Sequence, residues 1–180
     1  MKLKPDKCVL VIIDVQTKLL AVMHDYPLLL ENLKKFTEAC NILNIPIILT
    51  EQYPAGLGPT HPEIAQLIPL VKAVEKMTFS CCLDENFMSA LRQLNREQIL
   101  VCGIEAHVCV YQTCRDLLEK KYEVHLLTDA IDSRRPENKQ LAIQKLAQLG
   151  VHLSSVEMAL FEMLRDAHNP AFKAISKIIK

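Results

Sequence analysis

Residues 8–14 have the sequence CVLVIID, an unbroken apolar run rich in β-branched residues that ends in an acid. Such a run is typical of a strand buried on both faces of a parallel sheet. Residues 98–103 (QILVCG) repeat the pattern, and shorter runs follow it at 47–50 and 123–128. These segments predict the inner strands of a parallel sheet.

Helical patterns separate these strands. We expect helices over residues 28–44, 85–95, 105–121 and 136–149, the last ended by Gly150. The remaining expected elements are a loop at 52–62, a short helix at 62–68, short strands at 73–76 and 151–154, and two closing helical segments. This β-α-β alternation predicts an α/β fold of about six strands, with helices on both faces of the sheet.

Composition narrows the class of protein. A chain of 180 residues, half of them hydrophobic, predicts one domain over residues 1–180 with a full core. Lys and Arg number 21 and so do Asp and Glu, so no basic excess suggests nucleic acid or membrane as a partner. The apolar run near the N-terminus is too short for a membrane span and makes a poor signal peptide. Seven cysteines, an odd number, argue against a disulfide scaffold, so we expect a reduced, soluble, cytoplasmic protein.

Three reactive side chains follow predicted strands. Open α/β sheets bind ligands at the carboxyl ends of their strands. Asp14 ends the first strand, Lys76 ends the third, and Cys109 lies in the first turn of the helix after the fourth. Each has an ordinary structural explanation when taken alone, as a helix cap, a solvated amine and a small core residue. Their convergence at one sheet edge favours a catalytic site.

An acid, an amine and a thiol together support acyl transfer. A thiol at a helix N-terminus beside an ammonium is held partly as thiolate, so we expect Cys109 to be the most reactive cysteine. Asp14 would take the thiol proton and return it to a leaving group, while Lys76 holds Asp14 ionised. Backbone N–H groups of residues 103–107 would form an oxyanion hole. A thioester intermediate would then be released by water.

Metal and cofactor sites find less support in the sequence. The six histidines form no HxH or HxxxH pair, and we find no carboxylate-rich ligand spacing around them. The pair Cys81 and Cys82 has no second CxxC to complete a zinc site. None of the four glycines forms GxGxxG or a phosphate loop. We therefore expect no metal and no cofactor.

Three segments resemble the isochorismatase-like cysteine hydrolase superfamily: VLVIIDVQ, VEKMTFS around Lys76, and GIEAHVCVYQTCRDLLEKKYEVHLLTDA. ILTEQYPAGLGPTHPEI and DAIDSRRPENKQLAIQKLAQLGVHLSSVEMALFEML are similar to its isochorismatase domain-containing, MAR1-type subgroup. The resemblance implies a Rossmann-like, three-layer αβα sandwich with a six-stranded parallel sheet. It implies a catalytic triad of Asp14, Lys76 and Cys109. It also implies a cis peptide between Ile104 and Glu105 that aims backbone N–H groups at the oxyanion.

The chain departs from some relatives in ways that concern the substrate. Nicotinamidases of the superfamily carry an Asp-x-His metal motif after the second strand, where this chain has Glu51-Gln52-Tyr53. Ala106 stands where many relatives have Thr. We expect a small amide or related C–N substrate, with a flat or apolar acyl portion. The expected pocket residues are Gln16, Leu19, Tyr53, Phe79, Ile104 and Glu105.

Two other functions stay open, and self-association is expected. The chain would be a non-catalytic scaffold on the same fold, or a thiol redox sensor in which Cys109 pairs with a second thiol. Cys114 is a poor partner because it lies roughly 100–150° around the helix from Cys109. Zero net charge favours a homo-oligomer. So do apolar residues of the closing helices: Phe161, Met163, Leu164, Phe172 and Ile175.

Overall fold

The apolar runs form the inner strands of one sheet in a computed structural model that describes residues 2–180. The strands are β1 (Cys8–Ile13), β2 (Ile47–Gln52), β3 (Val74–Lys76), β4 (Gln98–Ile104), β5 (Glu123–Asp132) and β6 (His152–Ser154). They lie in the order β3-β2-β1-β4-β5-β6, and all pairs are parallel. Every residue of β1 and β4 is buried, as continuous apolar runs require. The predicted six-stranded parallel sheet is confirmed.

Helices cover both faces of the sheet and give the expected three layers. They are α1 (Thr17–Leu20), α2 (Tyr26–Ile42), α3 (Pro54–Leu57), α4 (Pro62–Ala65), α5 (Glu85–Leu94), α6 (Tyr111–Glu119), α7 (Pro136–Gln148), α8 (Val156–Leu164) and α9 (Phe172–Ile179). Alternate residues of the strands point to opposite faces. Leu10 and Ile12 therefore pack with α2, α8 and α9, whereas Val9 and Val11 pack with α5, α6 and α7. Within residues 2–180 every helix is too short or too polar to cross a bilayer.

The structure corrects several predicted element boundaries. The helix expected over residues 105–121 begins with a π-helical turn, Ala106–Val110, because the Val110 N–H reaches the Glu105 carbonyl at 3.3 Å, one residue further back than in an α-helix. The strand expected to end at residue 128 continues to Asp132 past an irregularity in its pairing with β4. The loop expected over residues 52–62 contains α3.

The closing helices pack their apolar residues against the chain's own sheet. Met163, Leu164 and Ile175 are buried in the core on the α2 side, and Phe172 packs against it. Phe161 is 41% exposed. Since most of these side chains already have a place in the core, they are not evidence for the self-association that the sequence suggested.

A glycine allows the close approach of the two central strands. β1 and β4 are neighbours at the point where the strand order changes direction, which is where open α/β sheets place their ligands. Gly103 pairs with Ile13 and has a φ of +114°. A Cβ at position 103 would lie 2.1 Å from the Ile13 carbonyl oxygen. Gly103 therefore keeps the ends of these strands side by side.

We expect Gly103→Ala to lower the free energy of unfolding by about 2–4 kcal/mol, from backbone strain and from the contact with Ile13. Gly150→Ala is the matched control, because Gly150 also has a positive φ but nothing within 4 Å of the added Cβ. Gly150→Ala should lower the free energy of unfolding by only about 1 kcal/mol, from backbone strain alone. Urea unfolding of both variants measures the difference. Equal losses would show that the approach to Ile13 is not the constraint.

Candidate active site

Three predicted residues meet at the carboxyl edge of the sheet. Asp14 directly follows β1 and is fully buried, with a φ of 54° that few residues adopt. Lys76 is the last residue of β3 and is 2% exposed. Its Nζ donates to Asp14 Oδ2 at 2.7 Å. Cys109 lies in the π-helical turn after β4, close enough to Asp14 for that carboxylate to raise the pKa of its thiol.

The Asp14 carboxylate has a partner on each oxygen. Lys76 donates to Oδ2, and the Thr50 hydroxyl donates to Oδ1 at 2.7 Å. Thr50 lies in β2, and its carbonyl also accepts the Asp14 N–H at 3.2 Å. Buried charges are tolerated when they are paired and hydrogen-bonded. Asp14 is thus held in one orientation with its second oxygen toward the cation.

The Lys76 ammonium is held by four oxygens. Besides Asp14, its Nζ donates to Gln52 Oε1 at 2.8 Å and to the carbonyls of Thr78 and Phe79 at 3.1 and 3.4 Å. Burial alone would lower the pKa of Lys76, but the Asp14 carboxylate opposes burial and the pKa is raised. Lys76 is therefore a permanent cation at neutral pH, and its stabilising effect is lost only as the pH rises through that raised pKa.

The thiol of Cys109 is protonated at rest, which corrects the expected thiolate. Burial is the largest cause and the negative charge of Asp14 the second, and together they raise the pKa of Cys109 well above that of a free thiol. The positive charge of Lys76 lowers the pKa of Cys109, but the paired Asp14 carboxylate largely offsets that charge. The arrangement can therefore pass a proton from Cys109 to Asp14 when a substrate arrives, and it does not store a free thiolate.

A second thiol and two polar side chains belong to this site but were missed from sequence. Thr50 and Gln52 hold Asp14 and Lys76. Cys81 Sγ lies 3.9 Å from Thr50 Oγ1, and burial raises the pKa of Cys81 to about 11. β1 and β2 are parallel neighbours, and Ile13 pairs with Thr50. Aligning the ends of these two strands would therefore have identified Thr50 as a neighbour of Asp14.

The turn after β4 has the cis peptide bond between Ile104 and Glu105 that the resemblance implied. The N–H groups of Val108 and Val110 both donate to the Glu105 carbonyl, at 3.0 and 3.3 Å. The first four N–H groups of a helix have no partner within it. Of this turn, Ala106, His107 and Cys109 therefore remain as the candidate oxyanion donors.

His107 is half-buried, and both of its ring nitrogens lie near polar side chains. Its Nδ1 lies 2.9 Å from Ser133 Oγ and its Nε2 lies 3.4 Å from Asn138 Nδ2. Glu105, an expected pocket residue, receives hydrogen bonds from the backbone and guanidinium of Arg134, at 3.0 and 3.1 Å. Both side chains thus connect the turn to the segment that enters α7.

The other expected pocket residues differ in how much of the side chain is exposed and not already held by the protein. Gln16 donates to the carbonyls of Gln52 and Gly58 and accepts from the Gln52 N–H, so its amide braces the loop after β2. Ile104 is fully buried in the core on the α2 side, and Leu19 packs against that core. Tyr53 and Phe79 are 49% and 55% exposed. Among the expected pocket residues, these two aromatic side chains therefore have exposed surface that a ligand can contact.

Comparisons with known proteins identify the family of the chain. The family model "Isochorismatase domain" matches residues 8–158. The chain is 39% identical over 183 residues to the secreted isochorismatase effector Isc1 of Phytophthora sojae, covering 99% of this chain and 87% of that protein. It is 40% identical over 172 residues to isochorismatase domain-containing protein 2 of Danio rerio, covering 95% and 86%.

Solved structures share the fold. The structure described as the MAR1 ribonuclease of Caenorhabditis elegans superposes with a TM-score of 0.92 at 32% identity, covering 99% of this chain and 92% of that one. The YcaC protein of Escherichia coli, described as an octameric hydrolase of unknown specificity, gives 0.95 at 21% identity, covering 99% and 89%. The second likeness concerns the fold alone. Together with the curated relatives, the first confirms the predicted MAR1-type resemblance.

We expect the iodoacetamide labelling rate of Cys109 to rise about tenfold per pH unit between about pH 7 and pH 9, because its pKa lies above that range. Asp14→Asn should speed labelling at every pH, since it removes the negative charge that raises the thiol pKa. Mass spectrometry of each cysteine peptide reads the rates. A rate that is already independent of pH near neutrality would mean that Cys109 rests as a thiolate.

Proposed function

The chain belongs to the isochorismatase family and has its hydrolase fold, and we propose that it is a cysteine-dependent amidohydrolase with a triad of Asp14, Lys76 and Cys109. The observation that carries the proposal is the buried ion pair beside the thiol. Ion pairs at this depth are no better for stability than well-packed apolar side chains. An ion pair that lies beside a nucleophile favours a chemical role.

In the first half-reaction the Cys109 sulfur attacks the carbonyl carbon of the substrate, and its proton passes to Asp14. First-turn N–H groups stabilise the negative charge on the carbonyl oxygen. The carbon–nitrogen bond then breaks, and Asp14 returns the proton to the leaving nitrogen. The products of this step are an amine or ammonia and a thioester on Cys109.

In the second half-reaction water attacks the thioester, and Asp14 accepts a proton from it. The carbon–sulfur bond breaks, a carboxylic acid is released, and the sulfur regains its proton from Asp14. Lys76 stays charged throughout and keeps Asp14 a carboxylate between proton transfers. The cycle consumes one water per amide, and it uses neither a metal nor another cofactor.

A small amide or related C–N compound is the proposed substrate. The triad is almost inaccessible, with Cys109 only 7% exposed, which suits a small molecule better than a polymer. The half-exposed rings of Tyr53 and Phe79 would contact a flat or apolar acyl group. Gln16, Leu19, Ile104 and Glu105 would shape the site behind them.

The competing functions predict different outcomes. A non-catalytic scaffold has no use for the protonated thiol beside Asp14. A redox sensor would pair Cys109 with a second thiol, with Cys81 of this site as the candidate partner, and it would not turn over amides. The Caenorhabditis elegans relative is described as a ribonuclease, but zero net charge gives this chain little electrostatic attraction for RNA.

We propose a reducing compartment, the cytoplasm, as its place of work. Seven cysteines that are all free and buried fit such an environment. The relative from Phytophthora sojae is named a secreted effector, so members of this family differ in destination.

Turnover of a panel of small amides by the intact protein tests the proposal. Cys109→Ala should abolish turnover, and Asp14→Asn should lower it by about 10²–10⁴-fold because the proton acceptor is lost. Cys40→Ala is the matched control, since Cys40 is a buried cysteine of α2 on the other face of the sheet. Turnover should also survive dialysis against a strong chelator.

The amide panel, run beside an RNA substrate, also separates the alternatives. Cleavage of RNA that persists in Cys109→Ala, or amide turnover that the variant retains, would contradict the triad. Loss of activity in Cys40→Ala as well would point to damage of the fold and not to loss of a nucleophile.

We also propose a homo-oligomer. The YcaC protein of the same fold is described as octameric, and four large apolar side chains of α2, β6 and α8 are 41–64% exposed: Leu28, Leu153, Met158 and Phe161. Light scattering at micromolar concentration should give a multiple of the 20.4 kDa chain mass. A mass of one chain would refute this assembly.

A further inference from the structure

A cluster of two histidines and a glutamate lies at the amino edge of the sheet, opposite the triad. Glu123 and His125 are the first and third residues of β5, and His125 pairs with His152, the first residue of β6. Residues two apart on one strand, and register partners on parallel strands, point to the same face of a sheet. The fold therefore places all three side chains on the α2 side.

The three ligand atoms are close together. One from each side chain, a carboxylate oxygen and two ring nitrogens, all lie within 4.8 Å of one another. Glu123 Oε1 is 2.8 Å from His125 Nε2. The two imidazole rings stack with centroids 4.8 Å apart and an interplanar angle of 26°. Ligand atoms around a tetrahedral Zn²⁺ lie about 3.4 Å apart, so small side-chain rotations would complete the set.

An outer layer of hydrogen bonds orients the carboxylate. Gln98 Nε2 donates to both oxygens of Glu123 at 3.2 Å. The Gln98 amide is held in turn by the backbone of the N-terminal segment, through the Lys4 N–H at 2.9 Å and the Lys2 carbonyl at 3.0 Å. Partners of this kind fix the ligands of protein metal sites.

Burial also fits a site that a metal ion reaches from solvent. The side chains of Glu123 and His125 are only 9% and 5% exposed, so these two ligands are fixed. His152 is exposed and lies on the edge strand, which leaves an entry path. Ligand identity, spacing, outer hydrogen bonds and access are the features that a metal site must show.

We propose that Glu123, His125 and His152 bind a divalent transition metal of the zinc type. Two imidazoles and one carboxylate are the ligands that such ions accept, and a water would take the fourth position. The metal takes the lone pair of His125 Nε2, so the one proton of the neutral ring moves from the contact with Glu123 to Nδ1. The bound ion would fasten the short edge strand β6 to β5, at a distance from the hydrolytic site.

Zinc binding to the chelator-dialysed full-length protein tests this site directly. Competition with a chromogenic zinc indicator should give one Zn²⁺ per chain. His152→Ala and Glu123→Gln should each weaken binding by about tenfold or more. His168→Ala is the matched control, because that histidine is fully exposed and lies between α8 and α9. Zn²⁺ should raise the melting temperature of the parent and the control, and much less that of the two variants.

Cobalt identifies the ligands independently of affinity. The Co²⁺ complex should show ligand-field bands without the near-ultraviolet thiolate charge-transfer band, since the site has no sulfur. A thiolate band would mean that cysteines bind the metal. That result, no bound zinc, or affinity unchanged in His152→Ala would each overturn the proposal. Amide turnover is not part of this readout, so the outcome is separate from that of the hydrolase.

Discussion

The ion pair between Lys76 and Asp14 governs the arrangement of the whole carboxyl edge. Its two side chains are 0% and 1% exposed, so neither charge is solvated by water. Removing one partner of such a pair costs about 3–5 kcal/mol, because the other charge is then buried alone. The surrounding chain must therefore supply oxygens and donors: Thr50 for Asp14, and Gln52 with two carbonyls for Lys76. This requirement connects β1, β2 and β3 at one point.

The same pair sets the protonation of the thiol. Lys76 neutralises Asp14, so little positive charge remains to stabilise a thiolate, and burial decides the pKa of Cys109. A neutral thiol beside a carboxylate stays protonated, and therefore weakly nucleophilic, until a carbonyl group is placed next to it. In the proposed hydrolase this couples nucleophile activation to substrate binding, and it protects the thiol from oxidants, which attack thiolates.

The sequence predicted the sheet and the meeting of Asp14, Lys76 and Cys109 at one edge, because each of these residues lies at or just after the end of a strand. An all-apolar run such as residues 8–13 identifies a buried strand, and the residue after it then lies at the carboxyl edge. The π-helical turn was missed, since helical spacing does not distinguish an i−5 from an i−4 hydrogen bond within one turn. The thiolate expectation was wrong for a different reason: burial is the largest cause of the raised pKa of Cys109, and a position in the first turn of a helix does not show how deeply the thiol is buried.

The histidine–glutamate cluster at the amino edge of the sheet could not be found from motifs within one stretch of sequence. Glu123 and His125 lie at a spacing that is ordinary on a strand, and His152 belongs to a different strand, so no motif search joins them. Only the parallel register of β5 with β6 puts His152 beside His125. A metal bound there would act on β6, a three-residue edge strand held by one neighbour. The triad lies at the other end of the strands, so the two proposed sites are separate in structure: one would carry out the chemistry and the other would fix the edge.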